Sequence, residues 1–183
     1  MNNVVIDTQN LQLRDFKQTD WQEVQEYSSD PEVVRFMEWG PNSREQTMDF
    51  VDRARESARK KPRLTYELAV ILRAENKLIG AAGIRVAPYD NQQADLGYCY
   101  NRNYWGKGFA TEACKSLIDF GFEKLNLHRI WATCDAENVG SATVLQKSGM
   151  RKEGHFVKDK NIKGRWRDTF LFAILCEEWS AHG

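Results

Sequence analysis

The sequence lacks the features of a membrane-spanning, secreted or metal-binding chain. None of its apolar runs approaches the length of a membrane span, and the opening Met1-Asn2-Asn3-Val4 is not a charged-then-apolar leader. Its 4 cysteines are far apart without a Cys-x-x-Cys pair, and its 3 histidines have no metal-ligand spacing. We therefore expect a cytoplasmic chain with buried free thiols, no metal and no membrane partner.

The sequence also lacks an excess of charge of either sign. It holds 26 Lys and Arg residues against 26 Asp and Glu residues, so its formal net charge is +0. Such a balance gives no long-range field toward nucleic acid or anionic membranes, and we expect neither as a partner. The basic run Arg59-Lys60-Lys61 is interpreted as the solvated end of a helix. Repeats and Pro/Gly-rich linkers are absent too, so residues 1–183 are expected to form one domain.

Hydrophobic periodicity predicts an α+β fold with a mixed, mostly antiparallel sheet and helices on its faces. One helix is predicted from Thr19 or Asp20, and a second begins with the capping-box pair Ser43 and Gln46 and ends before Pro62. Further helices are predicted over 110–125 and 138–147. Strands are predicted at 11–14, 66–72, 78–86, 94–100, 129–134, 151–157 and 169–176, with a hairpin turn at 73–76 and loops at 88–91 and 160–168.

The segment Trp105-Gly106-Lys107-Gly108-Phe109-Ala110-Thr111, between strand 94–100 and the next helix, is the most informative part of the sequence. Glycines there let successive backbone N–H groups converge, and the first turn of a helix adds unpaired N–H groups and the positive end of its dipole. This predicts a phosphate-binding loop. The alternative is that the glycines only turn a corner between packed elements. A dinucleotide-binding βαβ unit is disfavoured, because Thr111 stands at the third glycine position and the segment follows an antiparallel hairpin.

Three sequence motifs carry a resemblance to a known family. They are Leu96-Gly97-Tyr98, the segment from Tyr104 to Ala113, and Asn138-Val139-Gly140-Ser141 leading to the segment from Leu145 to Gly154. Together they resemble the GNAT superfamily of acetyl-CoA-dependent N-acetyltransferases, most closely its RimJ/RimL-like branch of ribosomal-protein Nα-acetyltransferases. The family's pyrophosphate signature, Arg/Gln-x-x-Gly-x-Gly/Ala, falls on the segment that begins with Trp105, which replaces the usual Arg or Gln. The resemblance covers nearly the full length and implies the GNAT fold with acetyl-CoA as cosubstrate.

The resemblance also implies where acetyl-CoA binds. The pyrophosphate would lie on the segment from Trp105 to Thr111, and the pantetheine arm would pair with main-chain groups around Cys99 and Tyr100, in a gap where this strand splays from its neighbour. Asn138 would hydrogen-bond a pantetheine amide, and the alternative role as a helix cap is compatible with it. Ser141 would hydrogen-bond the departing thiolate or its proton, unless it is a plain helix-terminus serine.

The implied reaction is direct attack of a primary amine on the thioester within a ternary complex. Asp95 resembles in position the glutamate that many family members use as base, although a solvated strand residue with ordered water as proton acceptor is the alternative. Leu145 stands where many members have a tyrosine acid, which gives weight to Ser141 or water. An acyl-cysteine intermediate on Cys99 is disfavoured, because no histidine accompanies it in the motif.

The acceptor is expected to bind beside the first two helices. Arg35, Glu38 and Trp39 lie between those helices, where aromatic and acidic groups would receive a cationic amine or simply cover the core. A protein N-terminus is the first expectation for the acceptor. Small-molecule amines, antibiotics and amino acids are alternatives, as is a non-catalytic acyl-CoA-binding module. A homodimer is a further expectation, since exposed strand edges in this fold often pair.

Overall fold

In residues 4–87 and 91–180, the part of the chain that the computed structural model describes, eight strands form one sheet. The strands are β1 (Val5–Asp7), β2 (Leu11–Asp15), β3 (Thr65–Leu72), β4 (Lys77–Val86), β5 (Gln93–Tyr100), β6 (Arg129–Asp135), β7 (Arg151–Ile162) and β8 (Arg165–Leu175). Their order across the sheet is β1-β2-β3-β4-β5-β6-β8-β7. Neighbouring strands are antiparallel except β5 and β6, which are parallel, so the predicted mixed, mostly antiparallel sheet is confirmed.

The parallel ladder between β5 and β6 is short. It joins Gln93 to Arg129, Ala94 to Ile130 and Asp95 to Trp131, and no further pair follows in the described part of the chain. The antiparallel partner of β5 on its other side, β4, pairs with it as far as Tyr100. The two halves of the sheet therefore diverge after Asp95, which is the splay that the family resemblance implies.

Helices cover both faces of the sheet. They are α1 (Trp21–Ser28), α2 (Arg44–Arg59), α3 (Phe109–Leu125), α4 (Val139–Lys147) and the short α5 (Cys176–Ser180). Alternate residues of β3 face opposite sides, as the two-residue period of a strand requires. Leu68 and Val70 pack in the core that contains α3 and α4, whereas Ala69 and Ile71 pack in the core that contains α1 and α2.

The helix boundaries follow local capping chemistry. At the start of α2, the Ser43 backbone N–H donates to Gln46 Oε1 at 2.8 Å and the Gln46 N–H donates to Ser43 Oγ at 3.3 Å, so the predicted capping box is confirmed. The predicted start of α1 at Thr19 or Asp20 is confirmed, since Asp20 is the N-cap before Trp21, but the Asp20 side chain makes no capping hydrogen bond. A short 3₁₀ turn, Gln18–Asp20, precedes α1, and the Asp20 carboxylate accepts two hydrogen bonds from the Arg14 guanidinium at 2.7 and 3.0 Å instead.

The last two strands are longer than predicted. The predicted loop over 160–168 is instead the tip of the β7–β8 hairpin, whose turn is Lys163 and Gly164 with φ of 52° and 83°. Two central residues with positive φ suit the right-handed twist of a tight hairpin. The strand pattern is hidden in the sequence because β7 is mostly exposed and rich in charge, so it has no apolar alternation. The predicted loop at 88–91 falls largely on residues outside the described part of the chain.

Candidate functional site

A cavity of about 1000 Å³ opens where β5 and β6 diverge. One wall is formed by the separating strands, from Asp95 to Cys99 on β5 and from Trp131 to Asp135 on β6. The start of α4 contributes Asn138 and Ser141, and the opposite wall comes from α1, α2 and the segment that links them. The cavity therefore joins Cys99, Asn138 and Ser141, predicted for the cosubstrate, to Glu38 and Trp39, predicted for an acceptor. Tyr100 and the segment from Trp105 to Thr111 do not line it.

The glycine loop leads into α3 beside this cavity. Gly106 and Gly108 have φ of 73° and 86°, and a Cβ built on either one meets no atom within 4 Å. Their left-handed backbone requires glycine, whereas packing against neighbours does not. The positive φ values suit the corner-turning alternative, and the open space around both glycines also admits a phosphate group, so the phosphate-binding loop stays a prediction. The loop is tied to β5, because the Trp105 indole N–H donates to the Tyr100 carbonyl at 2.9 Å.

The first turn of α3 carries the remaining predicted contacts. Phe109 and Ala110 are half-buried against the core and Thr111 is half-buried, while the Lys107 ammonium lies 5.2 Å from the centroid of the Tyr104 ring. Glu112 would oppose an anion there, but its carboxylate is turned away. It accepts hydrogen bonds from the Thr8 hydroxyl at 2.6 Å and the Asn10 N–H at 2.7 Å. Burial alone would raise the pKa of Glu112, yet these hydrogen bonds lower it overall.

Asn138 and Ser141 meet at the start of α4. The Asn138 Oδ1 accepts from the Ser141 backbone N–H at 3.1 Å, so the capping role of Asn138 is confirmed. Across the gap, the Tyr98 hydroxyl lies 2.9 Å from Ser141 Oγ and donates to the Ser141 carbonyl at 3.1 Å. Burial raises the pKa of Tyr98, so its hydroxyl stays protonated. Tyr98 belongs to the motif Leu96-Gly97-Tyr98 but was given no role from the sequence. The sequence signal that it faces inward is its position two residues from the buried Leu96 and Tyr100.

Asp95 lies in the cavity as half of an ion pair. The Arg85 guanidinium donates to one Asp95 carboxylate oxygen through Nε at 2.9 Å and Nη2 at 2.5 Å. The pairing follows from register, because Arg85 and Asp95 are opposite each other on β4 and β5. No observation of the structure tests the base role of Asp95, which stays a prediction.

Cys99 also lines the cavity, as a protonated thiol. Burial raises the pKa of Cys99 to about 12, and the charge of Glu67 contributes in the same direction. A thiolate is the nucleophilic form of cysteine, so this environment favours direct attack over an acyl-cysteine intermediate. Each of the 4 cysteines is a free thiol.

Several polar residues of the cavity were given no role from the sequence, among them Glu67 and Tyr27. Glu67 is on β3, opposite Gly83 of β4, which is in turn opposite Gly97 of β5. Burial raises the pKa of Glu67 to about 7, the Asp95 charge adds to the rise, and Arg85 opposes it. Tyr27 of α1 is 2% exposed, and its hydroxyl has no hydrogen-bond partner among the described residues. For Glu67, the one sequence signal of a functional role was a carboxylate within the apolar pattern of β3.

The three predicted acceptor residues differ in position. Glu38 and Trp39 line the cavity, and Glu38 Oε1 accepts from the Lys160 ammonium of β7 at 2.6 Å. Arg35 is exposed and absent from the cavity wall; its guanidinium lies 5.2 Å from the centroid of the Phe36 ring. Their contacts with an acceptor stay predictions.

The described residues contain neither a cluster of metal-ligating side chains nor a helix suited to cross a membrane. Over residues 4–87 and 91–180, no group of three or more His, Cys, Asp or Glu side chains is placed to hold a metal ion. Within the same ranges, no helix has both the length and the apolar character needed to cross a membrane.

Known proteins match both the sequence and the fold. The sequence model of the acetyltransferase (GNAT) domain matches residues 10–151. The uncharacterized N-acetyltransferase YnaD of Bacillus subtilis (strain 168) is 39% identical over 176 residues, which are 96% of this chain and 99% of that protein. A GNAT-family acetyltransferase structure from Bacillus anthracis is 34% identical with a TM-score of 0.85, over 95% of this chain and 99% of that one.

A third match names an acceptor. The ribosomal-protein-S5-alanine acetyltransferase structure from Vibrio fischeri is 27% identical with a TM-score of 0.80, over 96% of this chain and 98% of that one. The predicted GNAT fold is confirmed by these matches. The chain therefore belongs to the GNAT acetyltransferase family and is an N-acetyltransferase.

Proposed function

We propose that this enzyme transfers an acetyl group from acetyl-CoA to a primary amine by direct attack in a ternary complex. The observation that carries the proposal is the gap between β5 and β6, which has the open glycine loop beside it and a cavity with carboxylates at its acceptor side. The loop suits a pyrophosphate, the gap suits an extended arm, and the carboxylates suit a cationic amine.

The cosubstrate contacts follow the path of the gap. Backbone N–H groups from Gly106 to Thr111, with the Lys107 ammonium, would hold the pyrophosphate at the start of α3. The pantetheine arm would pair with the main chain near Cys99 and Tyr100, as an added strand pairs with an open edge. Asn138 uses its oxygen as a cap, which leaves its Nδ2 group to donate to a pantetheine amide.

The leaving thiolate would be met by Ser141. Its hydroxyl lies 2.9 Å from the Tyr98 hydroxyl, which burial keeps protonated. If the Tyr98 proton turns from the Ser141 carbonyl to Ser141 Oγ, the Ser141 proton is free to pass to the thiolate. Leu145 is 1% exposed and has no proton to give, which supports Ser141 in the role that many family members assign to a tyrosine. The resemblance favours Asp95 as the residue that accepts the amine proton.

The first proposal for the acceptor is a protein N-terminus, as expected for a RimJ/RimL-like enzyme acting in the cytoplasm. The named activity of the Vibrio fischeri relative supports it. The exposed Arg35, Glu38 and Trp39 would contact the residues that follow the amine. A small polyamine is the second candidate, favoured by the carboxylates of Glu38, Asp49, Glu67 and Asp95 along one cavity. A homodimer is part of the proposal.

The cosubstrate is tested by thermal melts with acetyl-CoA, coenzyme A, NADPH and ATP in parallel. A ligand at about a hundred times its dissociation constant adds about 2.7 kcal/mol, which raises the melting temperature of a domain of this size by several degrees. We expect a rise with both coenzyme A species alone. A rise with NADPH alone would contradict the proposal.

Catalysis is tested by coenzyme A release with spermidine and with peptides that begin with alanine or serine. We expect turnover with at least one amine, and a lower kcat for Ser141→Ala and Asp95→Asn. Unchanged turnover in both variants would remove the two catalytic assignments while the cosubstrate stands. Tight coenzyme A binding without acetylation of any amine would identify a non-catalytic acyl-CoA-binding module.

A further inference from the structure

We propose that the acceptor amine binds between the Glu67 carboxylate and the Tyr27 hydroxyl, and that Glu67, in place of Asp95, takes its proton. The inference rests on the proposed acetyl transfer and names its acceptor subsite. The acceptor class is a protonated primary amine that enters beside α1 and reaches the floor of the cavity formed by β3, β4 and β5.

Two glycines open the path from Glu67 to the thioester. Glu67, Gly83 and Gly97 form one row across β3, β4 and β5. A Cβ on Gly83 would lie 3.3 Å from Glu67 Oε2, so the carboxylate itself occupies the space that a side chain on β4 would fill. A Cβ on Gly97 would meet only the end of Arg85, at 3.5 Å. Among the described residues, the flexible end of Arg85 is thus the one side chain within 4 Å of the space above Gly97, between the Glu67 carboxylate and the edge of β5 that faces the gap.

The Tyr27 hydroxyl is a donor and acceptor without a partner. Tyr27 is 2% exposed, it lines the cavity, and its hydroxyl has no hydrogen bond among the described residues. Tyr27, Glu67 and Cys99 line the same cavity. Burial raises the pKa of Tyr27, and Cys99 and Glu67 contribute in the same direction. Buried polar groups are nearly always hydrogen-bonded, so a ligand that supplies the missing partner would bind here.

Glu67 and Asp95 differ in their charged partners. Arg85 already donates two hydrogen bonds to Asp95, whereas no described hydrogen bond or ion pair reaches Glu67. The other ionisable groups around Glu67 are Tyr27 of α1 and Cys99 of β5, with Asp49 and Arg53 of α2 along the same cavity. Burial raises the pKa of Glu67 to about 7, with Arg85 opposing the rise and the Asp95 charge adding to it. That value is near the operating pH, where a general base is most effective.

The proton balance of the step is simple. The ammonium gives one proton to Glu67, and the neutral nitrogen then attacks the thioester carbon as the carbon–sulfur bond breaks. The thiolate takes a proton from Ser141, which is restored by the second proton of the nitrogen. Glu67 finally releases its proton to solvent, so one ammonium and acetyl-CoA yield an amide, coenzyme A and one proton.

The test compares Glu67→Gln with Glu56→Gln, a matched change at an exposed position of α2 outside the cavity. The assay uses the amine that wild type acetylates among spermidine and peptides beginning with alanine or serine. We expect Glu67→Gln to lose about 100-fold or more in kcat, because general bases contribute about 10²–10⁴-fold. The affinity for acetyl-CoA, measured by calorimetry, should change less than twofold, and Glu56→Gln should match wild type.

The pH profile separates a base from a structural carboxylate. A base acts deprotonated, so kcat/KM of the wild type should rise as pH passes through about 7, the pKa of Glu67. This limb should vanish in Glu67→Gln and persist in Asp95→Asn, whatever activity Asp95→Asn retains. Loss of the limb in Asp95→Asn alone would return the role to Asp95 and overturn the inference.

Tyr27→Phe tests the second half of the subsite. Removing an unpaired buried hydroxyl should leave the melting temperature equal or higher, since nothing in the free protein satisfies it. The KM for the amine should rise about tenfold, while acetyl-CoA affinity is unchanged. A fall in stability with unchanged KM would show a purely structural hydroxyl.

The outcomes distinguish this inference from the function on which it rests. If wild type acetylates an amine and Glu67→Gln does so equally well, the subsite is wrong and the acetyl transfer stands. If wild type binds acetyl-CoA but acetylates no amine of the panel, both proposals fail.

Discussion

At the scale of single residues, a buried ion pair closes the end of β6 beside the cavity. Arg167 donates to the two Asp135 oxygens at 2.5 and 2.8 Å, and the side chains are 8% and 1% exposed. Arg167 also lies 5.2 Å from the Phe36 ring centroid, on the segment between α1 and α2. The pair thus connects β6, β8 and the acceptor side of the cavity.

Removing one member of this pair should be costly. We expect Asp135→Asn to lower the free energy of unfolding by about 3 kcal/mol, because it removes the buried partner of the Arg167 charge and leaves only the half-exposed Glu137 carboxylate, at 3.1 Å. Urea denaturation measures the loss. Arg165→Met is the control, since Arg165 pairs with Glu137 and its side chain is 66% exposed; we expect a change within about 0.5 kcal/mol. If Asp135→Asn lowered the free energy of unfolding as little as the Arg165→Met control, water would have to reach the Arg167 guanidinium.

Residues that act through local pattern were predictable, and residues brought together by the sheet were not. Asn138 and Ser141 are three positions apart on one helix turn, and Gly106 and Gly108 share one loop, so the closeness of each pair is readable in the sequence. Glu67 and Tyr27 are distant in sequence and meet only through strand register and helix packing. The Arg85 pairing of Asp95 likewise depends on the register of β4 with β5.

At the scale of elements, β4 must approach β3 closely enough for Glu67 to lie over it. Gly83 permits this approach, because a Cβ there would stand 2.5 Å from the Tyr66 carbonyl oxygen. The capped and amphipathic helices, and the strands with apolar alternation, were predicted nearly in full. The outer ends of β7 and β8 were not, because an exposed hairpin needs no apolar pattern.

Gly83→Ala should therefore destabilise the β3–β4 pair. We expect the free energy of unfolding to fall by about 1–3 kcal/mol, since the backbone must shift to admit a methyl group. Gly97→Ala, whose new methyl would touch only the flexible end of Arg85, should stay within about 0.5 kcal/mol. Chemical denaturation of both variants measures the free energy of unfolding. Equal values for Gly83→Ala and Gly97→Ala would mean that β3 and β4 move apart without strain.

At the scale of the whole molecule, the sheet is continuous at one end and open at the other. β5 and β6 pair over three residues and then diverge, so alternate backbone groups of β5 beyond Asp95 have no ladder partner on the β6 side. The overall class was predictable from the sequence pattern, as was the order of elements apart from β1 and α5, which were missed. The position of the splay was implied by the family resemblance. The size of the cavity was not, because it depends on how far α1 and α2 sit from the diverging strands.

Hydrogen exchange should report the open end directly. In the free enzyme we expect fast exchange at the β5 amides that face the gap beyond Asp95, and slow exchange throughout β4, which is paired on both sides. Saturating coenzyme A should protect the gap-facing amides by about tenfold or more if the pantetheine arm pairs with them. Protection confined to the start of α3 would mean that only the pyrophosphate end is engaged.

The open end of the sheet also dictates a kinetic order. The diverging strands at the gap form one wall of the acceptor cavity. A pantetheine arm lying in that gap would complete the enclosure around the amine. Before it arrives, the amine faces solvent on that side and has no electrophile to attack. Acetyl-CoA should consequently add first and coenzyme A leave last, so that product inhibition by coenzyme A is competitive toward acetyl-CoA and noncompetitive toward the amine.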